Sequence, residues 1–188
     1  PLLSAALVAI GVAAYTWRKR HVHASATSLS CLMGLVLLWL LAYSVETLSV
    51  ELQAKEIWET LITLSQAFVG PVWLIFALQY AGRGDLLSKR RILLVLLPGI
   101  ITAALALTNP WHHLLWSELG IIASWPMPTA FPMPGPWFWV LAFYRYIYVL
   151  VGTTLVLIPL VRSPAWRRRH SLLVALGGLM PLVANALQ

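Results

Sequence analysis

Six long apolar stretches run through the chain and are separated by shorter polar segments. They cover residues 2–17, 24–50, 57–81, 92–107, 137–161 and 172–188. A helix needs roughly 20 residues to cross a hydrocarbon core of about 30 Å, and the longer stretches meet that length. The runs are continuous and rich in Leu and Ala, whereas the strands of a membrane barrel alternate over about 10 residues. The pattern therefore predicts an all-α, polytopic bundle of transmembrane helices.

The composition supports a membrane protein and excludes several other classes. Hydrophobic residues make up 60% of the chain and charged residues only 10%, whereas a soluble domain carries roughly 25% charged residues. The net charge of +7 could suggest nucleic acid, but the chain has too little polar surface for such a partner. The single cysteine, Cys31, excludes an intramolecular disulfide. The expected partner is the lipid bilayer.

Both ends of the sequence lie in or beside apolar segments. The first residue is Pro1, and Gln188 ends the last apolar run. We therefore expect the sequence to be a piece of a longer polypeptide, with residues 1–188 forming a single transmembrane domain.

Basic residues are concentrated in three of the loops. Eleven of the 13 Lys and Arg residues lie within 17–23, 82–91 and 162–170. Because positive loops remain in the cytoplasm, the pattern predicts that these loops face inward and that the N-terminus lies outside.

The long outer connection, residues 108–136, contains six of the 12 prolines. Proline removes a backbone donor and disrupts a regular helix, yet the segment is too apolar for a solvated linker. It is predicted to lie as a lid over the outer helix ends, with a short helical turn at 111–119.

Small and rigid residues interrupt the apolar runs. They are Gly70-Pro71, Pro98-Gly99, Gly177-Gly178 and Pro181. Such residues kink helices or let neighbouring helices approach closely, and packing is their expected role.

Polar side chains within the predicted spans fall in the outer half of the membrane. Arg145 lies nine residues past Pro136, or about 13 Å along a helix. A buried unpaired charge costs at least about 2.5 kcal/mol, so a partner is expected, with Glu46 as the first choice and Glu59 as the second. The candidate ligand-binding residues are Glu46, Gln66, Asn109, Tyr144, Arg145 and Asn185. They form either polar contacts between helices or a water-accessible pocket roofed by the lid.

Catalysis and metal binding are not expected. His112 and His113 point about 100° apart on a helix, which disfavours a shared ion, and capping or a bond to Asn109 is the expected role of His112. The sequence contains no phosphate-binding loop, no H-E-x-x-H and no G-x-S-x-G.

Three segments resemble a known membrane module. They are TNPWHHLLW (108–116), FALQYAGR (76–83) and RRRHSLLVALGGLMPLVANAL (167–187). With Glu46 in the second helix and Thr-Asn-x-x-His at 108–112, the chain resembles the N-terminal seven-transmembrane sensor region of bacterial and archaeal histidine kinases and diguanylate cyclases. The similarity spans nearly all 188 residues, and six of the seven helices are present.

The resemblance implies a sensory input domain in a prokaryotic inner membrane. A signal, expected to be a small molecule, is received in the membrane part and passed to a cytoplasmic output module through the last helix. His112 joins the candidate ligand-binding residues on this basis. The alternative is a non-catalytic accessory subunit of a larger membrane complex, which could contain pigments. No cofactor is identified.

Overall fold

The fold is described here from a computed structural model, which covers residues 2–21, 24–122 and 129–162. The sixth predicted span, 172–188, and the candidate residue Asn185 lie outside the described residues.

Helices dominate the described part of the chain. They are α1 (Leu2–Arg18), α2 (Ala24–Leu48), α3 (Leu52–Tyr80), α4 (Lys89–Leu107), the one-turn α5 (Asn109–His112) and α6 (Pro136–Arg162), with a 3₁₀ turn at Gly84–Leu86. Four of them, α2, α3, α4 and α6, are long and apolar enough to cross a membrane, and α1 contributes a shorter apolar helix. The chain is therefore an integral membrane protein, and the predicted all-α helix bundle is confirmed.

Two helices begin earlier than the apolar pattern indicates. Helix α3 starts at Leu52 rather than at residue 57, and α4 starts at Lys89 rather than at residue 92. The Ser88 hydroxyl accepts a hydrogen bond from Arg91 N and caps α4. The first turn of α3 thus contains Lys55, which hydropathy alone assigns to a loop.

Helix α3 is the centre of the bundle and packs against α2, α4 and α6. Glycines permit the closest approaches. A Cβ atom at Gly70 of α3 would lie 3.3 Å from Arg145 Cα of α6, and one at Gly99 of α4 would lie 2.9 Å from the Ala67 carbonyl oxygen of α3. Both Gly-Pro pairs therefore mark close contacts between helices, as their sequence predicts.

The outer connection folds as a β-hairpin rather than as a helical turn. Strand β1 (Trp116–Ile122) pairs antiparallel with β2 (Thr129–Pro134), and the register shifts between Trp116 and Leu119. The helical turn predicted at 111–119 is instead α5, which ends where His113 adopts a left-handed conformation with φ 53°. Both strands of a two-stranded sheet are edges, so β2 tolerates its prolines.

The bundle has two chemically different ends. We call the end that carries the hairpin, the C-terminus of α2 and the N-terminus of α3 the hairpin end. The opposite end, which carries the exposed residues Arg18, Lys19, Arg83, Lys89 and Arg90, is called the basic end.

Candidate functional site

A row of polar side chains follows one face of α3 from the hairpin end to the middle of the helix. Lys55, Glu59, Thr63 and Gln66 are separated by four, four and three residues, the spacing that aligns side chains along one helix face. We call these four residues the polar stripe. Lys55 and Thr63 are buried, and Glu59 and Gln66 are half-buried.

At the hairpin end, the stripe begins with a buried ion pair. Lys55 Nζ lies 2.8 Å from Glu46 Oε1 and donates a second hydrogen bond, 2.9 Å long, to the backbone oxygen of Glu46. Both side chains are almost completely inaccessible, at 0% and 2% exposure. Because Glu46 lies in the last turn of α2, the ammonium group also faces the negative end of the helix dipole. The pair fastens α2 to the first turn of α3.

The stripe ends at Arg145 of α6. Arg145 Nη1 donates a hydrogen bond of 2.8 Å to Gln66 Oε1, and the guanidinium lies 5.6 Å from the centre of the Tyr146 ring. The backbone of Arg145 rests on Gly70, one helical turn from Gln66. The side chain therefore reaches from the level of Gly70 towards the hairpin end.

The predicted pair between Glu46 and Arg145 is wrong. Lys55 and Gln66 are 11 residues apart on α3, which separates the two polar contacts by about 16 Å along the helix axis. Glu46 is bound at the contact nearer the hairpin end, which we call the upper contact. Arg145 is bound at the contact near the middle of α3, which we call the lower contact. Residue counts place both side chains in the outer half of the membrane, but a count along one helix does not include the relative shift of the packed helices.

Glu59, the second predicted partner of Arg145, lies between the two contacts. Within the described residues, neither Glu59 nor Arg145 forms an ion pair at 4.0 Å or less. The carboxyl group of Glu59 is close enough to Glu46 for an electrostatic interaction. The guanidinium of Arg145 is consequently held by a neutral amide and not by a carboxylate.

A second polar network joins α3, α4 and α6 beside the stripe. The Tyr144 hydroxyl lies 3.2 Å from the Ala67 carbonyl oxygen and 3.2 Å from the Thr102 hydroxyl, and Trp137 Nε1 donates to the Thr102 hydroxyl at 3.0 Å. Pro71 lacks the N–H that would normally bond the carbonyl four residues earlier in α3, which is that of Ala67. Tyr144 thus satisfies an acceptor that the proline has left free.

The Thr-Asn-x-x-His junction holds the base of the hairpin. Asn109 is fully buried; its Nδ2 donates to the Trp116 carbonyl oxygen and its Oδ1 accepts from Leu115 N, both at 2.9 Å. His112 Nδ1 accepts from Leu114 N at 3.1 Å, which leaves the ring hydrogen on Nε2, 2.9 Å from the Thr108 hydroxyl. His112 therefore caps the turn, and its ring nitrogens contact Thr108 and Leu114 rather than Asn109.

Gly135 completes this junction. Its N–H donates to the Leu115 carbonyl oxygen at 2.8 Å, and a Cβ atom there would clash with the Leu114 carbonyl oxygen. Trp137 N, at the start of α6, donates to the same Leu114 oxygen at 2.8 Å. The hairpin base is thereby joined to both α4 and α6.

The structure brings some of the predicted site residues together and separates others. Gln66 and Arg145 are in direct contact, and Tyr144 is adjacent to Arg145 in α6. Glu46 lies at the far end of the polar stripe, and Asn109 and His112 belong to the hairpin junction. In the part of the chain that the structure describes, no group of three or more His, Cys, Asp or Glu residues is placed to hold a metal ion.

Two residues that form polar contacts between helices were not predicted from the sequence. Lys55 lies between the second and third apolar stretches, so hydropathy alone assigns it to a loop. It follows Glu46 by nine residues, across a short turn between two helices. Thr102 is an isolated hydroxyl residue in an apolar run, and only the packing of α4 shows that it accepts a hydrogen bond from the Trp137 indole. The free carbonyl of Ala67 is predictable from the sequence, because Pro71 lies four residues later and has no N–H to bond it.

The sequence profile of the family described as the N-terminal 7TM region of histidine kinase matches residues 1–188. No curated protein and no solved structure is significantly similar to the chain.

Proposed function

Because the chain belongs to the family of N-terminal 7TM regions of histidine kinases, we propose that it receives a signal in the hairpin-end half of its membrane bundle and transmits it to a cytoplasmic output module. The membrane is the plasma membrane of a prokaryote, with the hairpin outside and the basic end in the cytoplasm. The concentration of Lys and Arg in the loops of the basic end supports this orientation.

Arg145 is the observation that carries the proposal. It is a cation on a membrane-spanning helix, it is half-buried, and no carboxylate within the described residues neutralises it. Ionisable residues within membrane spans are costly and typically mark functional sites. The polar stripe leads along α3 from the hairpin end to the residue that holds this cation, Gln66.

Helix α6 is suited to carry the response. Arg145 lies on the face of α6 that packs against α3, where Gly70 lets the two backbones touch. Tyr148, three residues further along that face, lies against Gly70, and Gly152, four residues beyond Tyr148, receives the Trp73 indole. Small residues at such contacts let the backbones of neighbouring helices approach closely. A signal that binds Arg145 better in one α3–α6 arrangement than in the other changes the balance between them.

The remaining predicted site residues take supporting roles in this proposal. Glu46 fixes the upper end of the stripe through Lys55, and Tyr144 fixes α6 to the Ala67 carbonyl. Asn109 and His112 use their polar atoms within the junction and position the hairpin. Asn185 lies outside the described residues and stays a predicted member of the site.

Autophosphorylation of the full-length protein in lipid vesicles tests the proposal. Arg145→Gln removes the charge and is expected to change the level of autophosphorylation on the order of fivefold or more, the usual size of a coupling between sites. Thr154→Val, on the exposed face of the same helix, is the matched control and is expected to retain the wild-type level. Both variants are first checked for equal membrane insertion. Wild-type output from a properly inserted Arg145→Gln protein would refute the proposal.

A further inference from the structure

The hydrogen-bond chemistry of the Arg145–Gln66 contact restricts what can bind there. An arginine side chain has five N–H donors and no acceptor, and one donor of Arg145 is used by Gln66 Oε1. Because the guanidinium can only donate, the Gln66 amide must present its oxygen to Arg145. The other end of that amide is its NH₂ group, which is also a donor. The pair therefore presents only hydrogen-bond donors to its surroundings.

The electrostatic character of the contact agrees with its hydrogen bonding. Gln66 is neutral, and no carboxylate in the described ranges lies within 4.0 Å of the guanidinium. Gln66 is the fifteenth of the 29 residues of α3, so the positive charge lies near the level of the middle of that helix. Both side chains are half-buried rather than sealed.

We infer that Arg145 and Gln66 bind a carboxylate or phosphate group, so that the signal received by this protein is an anion. This inference rests on the proposed function for its biological role, but not for the binding itself. An oxyanion accepts the free N–H groups of the guanidinium in parallel and supplies the missing negative charge. The Gln66 NH₂ group adds a donor beside them.

The anionic group could belong to a soluble molecule or to a lipid headgroup. The mid-helix position of Gln66 favours a soluble anion over a lipid headgroup. A lipid phosphate normally lies at the membrane surface, some 15 Å from the middle of a 30 Å hydrocarbon core. The two sources therefore differ in whether the bilayer must contain an acidic lipid.

Binding is measured on the full-length protein in nanodiscs, in two arms. In the first arm the lipid is phosphatidylcholine alone, and radiolabelled inorganic phosphate and acetate are titrated at constant ionic strength. In the second arm part of the lipid is phosphatidylglycerol, and retained lipid is counted by native mass spectrometry. The variants are Arg145→Gln, Arg145→Lys and the exposed basic-end control Arg83→Gln.

The wild type and Arg83→Gln are expected to bind anion in at least one arm. Arg145→Gln should bind it about tenfold more weakly or worse, as the loss of a charge-assisted hydrogen bond predicts. Arg145→Lys keeps the charge without the planar fork and should fall between them. Equal binding by Arg145→Gln and the wild type, or no anion bound by the wild type in either arm, would overturn the inference.

The same variants separate this inference from the proposed function. If Arg145→Gln loses anion binding but autophosphorylates at the wild-type level, the anion site stands and the signalling role of Arg145 fails. If autophosphorylation changes while anion binding does not, the signalling role stands and the anion site fails.

Discussion

The two polar contacts at the ends of the stripe differ in how completely their charges are matched. At the hairpin end, Lys55 has a carboxylate and a backbone oxygen as partners, and both members of the pair are sealed from solvent. At the lower end, Arg145 has one amide oxygen, and both side chains remain half-buried. The upper contact is complete within the protein, whereas the lower one is left with a surplus of donors and charge.

This difference separates a structural role from a functional one. A closed ion pair offers an incoming molecule nothing to bind, and its removal affects mainly stability. An open cation gains a partner only when something binds, so its removal affects mainly the response. Hydropathy alone would assign both contacts to the same class, namely polar residues in a membrane helix.

Breaking the closed contact should have the largest effect on stability. Lys55→Met leaves the Glu46 carboxylate buried without its cation, which is expected to lower the free energy of unfolding by about 3–5 kcal/mol. The measurement is equilibrium unfolding in mixed detergent micelles. Lys89→Met is the matched control, because Lys89 lies in the first turn of α4 but is exposed, and it should remain near the wild-type value.

The double variant Glu46→Gln with Lys55→Met sharpens the same test. Removing both charges leaves no buried unpaired ion, so much of the lost stability should return. A Lys55→Met protein within about 1 kcal/mol of the wild type would contradict the assignment of this contact as structural.

How much of this arrangement was visible in the sequence depends on whether a feature is local. The helices of the bundle follow from continuous apolar runs, and the irregular outer connection follows from its prolines. Lys55 was missed because a lysine in the first turn of a membrane helix looks like the end of the loop before it. Its burial results from the adjacent turn of α2, which hydropathy does not describe.

The pairing of Arg145 was unpredictable for a different reason. Which residue of α3 faces Arg145 is decided by the contact of its backbone with Gly70, and this contact is made between residues 75 positions apart. The sequence did mark Gly70-Pro71 as a place of close approach, but it could not say which helix approaches. Gln66 therefore appeared among the candidates without its partner.

A smaller effect on stability is expected where a side chain donates a hydrogen bond to a backbone carbonyl that a proline has left free. Tyr144→Phe leaves the Ala67 carbonyl without its donor and should lower the free energy of unfolding by about 1–2 kcal/mol. In a Pro71→Ala background, the new backbone N–H at position 71 can bond that carbonyl, so the same Tyr144→Phe change should cost clearly less. The double-mutant cycle is measured by detergent unfolding, and strictly additive costs would show that Tyr144 does not serve the freed carbonyl.

The smallest effect on stability distinguishes a buried hydroxyl that forms a hydrogen bond from one that does not. Thr102 and Thr153 are both buried in membrane helices, but Thr102 accepts from Trp137, whereas the Thr153 hydroxyl is without a hydrogen-bond partner in the described part of the chain. Thr153→Val keeps the shape and removes a buried polar group that has no partner, so stability should change by less than about 0.5 kcal/mol or rise slightly. Thr102→Val leaves the Trp137 indole without its acceptor and should be destabilising by roughly 1 kcal/mol or more. Detergent unfolding of the two variants side by side is the measurement, and equal losses would mean that Thr153 also has a partner that matters for stability. Burial alone would then predict the cost of removing either hydroxyl, whereas unequal losses would show that the hydrogen bond to Trp137 decides it.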